Sequence, residues 1–168
     1  MPSTSTWSEG NGASAGTETA SRTEANWKRI DDSTTAYTAN PINSTNNENS
    51  FTKYQAIKYG GTYNTLSTLT YRIDNNAPAV GLSIVGAVVT VGTTPATTAS
   101  GDAALSTTGL AANFTATAMG YAAGTATATA SAVVYGNALR TQLQTTSSYA
   151  GGPGDITSRT ITAQWTES

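Results

Sequence analysis

Between Arg72 and Arg140 the chain carries no Lys, Arg or His, and its only acids there are Asp74 and Asp102. Within that stretch Thr and Ala alternate residue by residue, as in Thr125-Ala126-Thr127-Ala128-Thr129-Ala130-Ser131-Ala132. A period of two places alternate side chains on opposite faces of a strand, and Thr favours strands. The pattern therefore predicts neutral, hydroxyl-bearing sheet with small Ala side chains packed inside. It does not supply the ionisable groups that acid–base chemistry uses.

The same reading extends along the chain. Phe51–Tyr59 is aromatic and β-branched, and Gly60-Gly61 punctuates it as a turn. Thr62–Ile73 continues as strand, with Leu69, Tyr71 and Ile73 on one face, and Asp74-Asn75-Asn76-Ala77-Pro78 is a turn signal. Leu82–Val91 reads as a strand buried on both faces. Phe114–Ala118 and Tyr121–Tyr135 alternate, while residues 96–112 fit either a short helix or a loop. Leu139, Thr141 and Leu143 oppose Arg140, Gln142 and Gln144. After a wide loop over Ser147–Asp155, the last strand turns Ile161, Ala163 and Trp165 inward. The expectation is an all-β fold, a β-sandwich or jelly roll of about seven to nine short strands. No repeat of solenoid length is present.

Residues 1–26 are rich in Ser, Thr, Gly, Ala and Glu, with Trp7 the only large side chain. So polar a segment buries too little surface to offset its ordering entropy. It is expected to be a flexible N-terminal arm, ordered against a partner through Trp7, ahead of a β-sandwich domain over 27–168. Trp7 and Trp27 are the candidate partner-binding residues, since Trp is enriched at interface hot spots. Trp27 and Trp165 are equally expected to plug a core otherwise made of small side chains.

Composition narrows the function classes. Charged residues are 11% of the chain, against about 25% in ordinary globular proteins. A net charge of −2 offers no basic stripe for nucleic acid. The longest apolar run, Val80–Val91, is broken by Gly and polar residues and is short for a membrane span. No basic and apolar leader opens the chain, so it reads as soluble and made in the cytosol. With no His and no Cys, the common general base, the thiol nucleophile and the usual transition-metal ligands are missing. Neighbouring Asp31 and Asp32 point to opposite faces if on a strand, and read as a strand end with a turn-forming Asp. Asp74-Asn75-Asn76 lacks the spaced acidic set of a calcium loop, and Gly151–Asp155 lacks the Lys-Ser/Thr of a phosphate loop. The expectation is no enzyme, no cofactor and no metal. One clean Thr row does not make an ice-binding array. Tyr54, Tyr59, Tyr63 and Tyr71 are candidates for a sugar platform, weighed against the alternative that they fill the core.

Two sets of segments carry a resemblance. Trp27-Lys28-Arg29-Ile30-Asp31-Asp32, Asn49-Ser50-Phe51-Thr52-Lys53-Tyr54-Gln55 and Tyr59-Gly60-Gly61-Thr62-Tyr63-Asn64 are similar to the opening of small virion structural proteins of tailed bacteriophages. Tyr135–Ser148, Gly154-Asp155-Ile156 and Thr160–Glu167 resemble how those proteins end. The resemblance covers under half of the chain and excludes the middle from about 78 to 132. It implies a non-enzymatic virion component, made in the bacterial host cytoplasm. Its most fitting place is as a capsid decoration or cement protein between capsomers, an oligomer bound to major capsid protein or other virion subunits. A neck, tail or fibre-associated protein is the alternative within that class. A carbohydrate-binding or adhesin module is the alternative outside it.

Overall fold

The computed structural model describes residues 3–11, 17–61, 66–73, 79–89, 134–135, 138–151 and 159–167. They form eight strands: β1 (Ser3–Asn11), β2 (Thr17–Ala20), β3 (Lys53–Gly61), β4 (Leu66–Ile73), β5 (Leu82–Val89), β6 (Val134–Tyr135), β7 (Ala138–Thr145) and β8 (Ile161–Glu167). The only helical pieces among the described residues are short 3-10 turns at Tyr37–Ala39 and Ser44–Asn46. The fold is all-β, as the alternation predicts. The Thr-Ala row at 125–132, Phe114–Ala118, the ambiguous 96–112 stretch, the Asp74–Asn76 turn and most of the Gly-rich loop lie outside the described residues.

The strands make two antiparallel sheets. The larger runs β2-β1-β3-β7-β5, with β6 also on β3, and the smaller pairs β4 with β8. The larger sheet turns Trp7, Ile57, Tyr59 and Leu139 toward Leu66, Leu69 and Tyr71 of β4 and Ile161, Ala163 and Trp165 of β8. Tyr59 meets Trp165 edge to face, ring centres 5.2 Å apart, a favoured aromatic geometry. The predicted faces are therefore correct for Leu69, Tyr71 and Ile73 and for Ile161, Ala163 and Trp165. Leu66 has the wrong parity for that face. A register shift between Ser67 and Thr70 corrects it, because an extra residue in one strand turns the following side chains over.

A second apolar cluster joins Ile73, Leu82, Ile84 and Leu143, with Trp27, Ile42, Tyr149 and Ile161 packed against it. Here the cover comes from the connection between β2 and β3. This connection is pinned by backbone bonds from Arg29 N to Asn40 O, from Phe51 N to Lys28 O and from Ser50 N to Leu143 O. Ile84 and Val85 are both buried, so β5 is covered on both faces, as expected.

The N-terminal segment departs from expectation. Among the described residues, 3–11 and 17–20 are strands of the larger sheet rather than a free arm ahead of residue 27. β1 pairs with β3 from Ser3↔Gly61 to Gly10↔Tyr54, and β2 pairs back on β1. The physical reason is that a strand added to an existing sheet gains its ladder hydrogen bonds at once. It therefore needs few apolar side chains of its own. Trp7 supplies one, its ring centre 5.6 Å from that of Tyr71 and tilted 32° to it, and Glu9 supplies a buried charge for Lys53.

Candidate functional site

Where β2 ends and the connection to β3 begins, the chain lines a cleft of about 390 Å³. Trp7, Arg22, Asn26, Trp27, Arg159 and Ile161 form its walls, with Thr23, Glu24, Ala25 and Gln55 between them. The two tryptophans singled out in the sequence thus meet in one concavity, although neither sits on a projecting arm.

Local hydrogen bonding fixes each wall. Arg22 N donates to Trp7 O at 3.0 Å, extending the β1–β2 pairing by one step. Ser21 and Asn26 adopt left-handed backbone, φ 59° and 50°, which bends the segment back over the sheet. Asn is among the residues that tolerate this conformation. Asn26 Nδ2 donates to Thr35 O at 3.1 Å. Trp27 Nε1 donates to Thr141 Oγ1 at 3.0 Å, so its indole is held by its polar edge.

The cleft floor continues into a buried polar cluster. Glu9 and Lys53 are fully buried and lie 3.3 Å apart. Lys53 Nζ also donates to Asp32 O at 2.7 Å, and Gln55 Nε2 donates to Glu9 Oε2 at 3.3 Å and to Glu24 O at 3.4 Å. Burial lowers the Lys53 pKa, partly countered by Glu9. Asp32 is the hub of the neighbouring turn. Its Oδ1 accepts from Lys28 Nζ at 2.7 Å and from the Thr34 and Thr35 amides, and its Oδ2 accepts from the Thr35 hydroxyl. Burial opposes ionisation of Asp32, yet Lys28, Thr35 and Thr34 outweigh it and hold its carboxyl well below the usual range. The turn-forming role expected for the Asp31-Asp32 pair therefore falls to Asp32.

Two polar groups at the cleft are left without partners. The Nε and Nη2 of Arg22 and the Oδ1 of Asn26 are buried and make no hydrogen bond among the described residues. Such a group costs about 1–3 kcal/mol, more when charged, and calls for a physical explanation, a bound water or ion among them. Neither Arg22 nor Arg159 stands out in the sequence as a site residue. The available signal was that Arg22 is the only basic residue in the first 26 positions.

A second groove, of about 270 Å³, also borders Trp7 and reaches Ile57, Ala163 and Trp165. The tyrosines weighed as a sugar platform are core instead: Tyr54, Tyr59 and Tyr71 are buried, and Tyr63 lies outside the described residues. Among the described residues no three His, Cys, Asp or Glu side chains gather as a metal-holding group. Set against family models, curated proteins and solved structures, the chain matches none of them.

Proposed function

We propose that this chain is a non-enzymatic structural protein of a virion, a capsid decoration protein that binds in several copies over major capsid protein or other virion subunits. The observation that carries the reading is where the resembling segments fall. Lys53–Gln55 and Tyr59–Gly61 belong to β3, Ala138–Thr145 is β7, and Ile161–Glu167 is β8. Trp27–Asp32 is bonded to them through the Trp27 indole, which donates to Thr141, and the Asp32 carbonyl, which accepts from Lys53. Much of the resemblance thus lies on strands of both sheets. The near absence of charge from residue 73 to 139 also suits faces packed on other subunits, because a free monomer uses surface charge to stay soluble. Co-sedimentation with expanded phage heads stripped of decoration is the test. Saturable binding supports the proposal. Failure to bind heads, together with a monomer in ultracentrifugation, contradicts it.

The cleft favours a second reading, a carbohydrate-binding or adhesin module. Small-ligand sites are concave, of roughly 300–1,000 Å³, and combine apolar walls with a few convergent polar groups. The Trp7–Trp27 cleft has that size and that lining.

A further inference from the structure

We infer that the Trp7–Trp27 cleft binds a hydroxylated carboxylic acid of sugar size, a uronic-type sugar acid, with the carboxylate on Arg22. The inference rests on the second reading for the cleft being a ligand site, and goes beyond it in naming the ligand class. Three observations converge.

The first is the unfilled donor edge. Nε and Nη2 are the two parallel donors of a guanidinium's side edge. On Arg22 both are buried and without a partner among the described residues. That fork matches the two oxygens of a carboxylate. Arg159 and Glu24 line the same cleft.

The second is the unfilled acceptor. Asn26 Oδ1 is buried and unpartnered, and its orientation is fixed because Nδ2 donates to the Thr35 carbonyl. A carboxylate alone cannot satisfy it, whereas a ligand hydroxyl can. The site asks for an acceptor pair and a donor on one molecule.

The third is the wall. Trp7, Trp27 and Ile161 give the cleft apolar surface, against which the C–H face of a sugar ring packs. The volume, about 390 Å³, holds a small ligand rather than a protein surface.

The experiment is titration of the full chain with glucuronate, glucose and acetate, read by tryptophan fluorescence and by equilibrium dialysis, on the parent, Arg22→Met and Arg22→Lys. Glucuronate should bind saturably and at least about tenfold more tightly than glucose or acetate. Arg22→Met should lose about tenfold or more, and Arg22→Lys should also weaken, because an ammonium is a point charge without the fork. Melting curves show whether both variants remain folded. Glucose binding as tightly as glucuronate overturns the carboxylate assignment and leaves the carbohydrate reading standing. Acetate binding as tightly overturns the sugar part. Undiminished glucuronate binding by folded Arg22→Met, or no binding of any probe to the parent, overturns the inference outright.

Discussion

Glu9 of β1 and Lys53 of β3 form an ion pair at 3.3 Å with both side chains fully buried beneath the connection between β2 and β3. Each charge is tolerated there because the other is present, with Gln55 and the Asp32 carbonyl taking further bonds. Breaking such a pair by removing one partner costs about 3–5 kcal/mol, while replacing both with apolar groups can be near neutral. Lys53→Met should therefore destabilise the protein by about that amount. Adding Glu9→Leu should recover most of it. Urea unfolding of the two single variants and the double variant checks the cycle.

Deleting residues 1–11 removes β1, the partner of β3 from Tyr54 to Gly61, and leaves Lys53 without its carboxylate. The melting temperature should fall by roughly 10 °C or more, as several kcal/mol does in a domain of this size. A free arm would leave it unchanged. Differential scanning calorimetry of the truncated and full chains separates the two.

Gly81 sits in the turn before β5 with φ +76°. A Cβ there would collide with the backbone of Tyr149 and approach the Ser148 carbonyl carbon to 2.8 Å. Gly81→Ala should destabilise by more than the roughly 1–2 kcal/mol of left-handed backbone alone. Its overlap is with main chain, which cannot rotate away. Gly81→Ala compared with the parent in chemical denaturation gives the number.

Asp32 gives stability a pH dependence with a definite sign. Its folded carboxyl is held below the ordinary range by Lys28, Thr35 and Thr34 against the opposing effect of burial. A depressed folded pKa contributes stability that is fully present above the unfolded carboxylate pKa, about 4. That contribution is lost progressively as pH falls below it. Melting temperature should thus drop on acidification below about pH 4. Asp32→Asn should be less stable at neutral pH and show a shallower drop.

Legibility in the sequence followed where side-chain pattern and physical cause coincide. Ile161, Ala163 and Trp165 alternate with polar residues, and the strand faces follow. Tyr59 and Tyr71 are large in a chain short of large side chains, and both are core. β1 was missed because its stability comes from backbone pairing with β3, which leaves no apolar signature beyond Trp7. The shared parity of Trp7 and Glu9 was the trace available. The buried Glu9–Lys53 pair joins positions far apart in sequence, so no local pattern announces it. Trp7 and Trp27 could be nominated singly as large residues in polar surroundings. Their meeting with Arg22 and Arg159 depends on β1 being in the sheet and on the left-handed bends at Ser21 and Asn26.

That placement of β1 supports the cleft and the functional reading drawn from it, and amide hydrogen–deuterium exchange tests it most directly. The account predicts that amides of β1 between Ser5 and Gly10 are protected to a degree comparable with those of β3, since the two strands open together. Exchange of β1 amides at the rate of unstructured chain, while β3 stays protected, would contradict it and return residues 1–26 to a free arm.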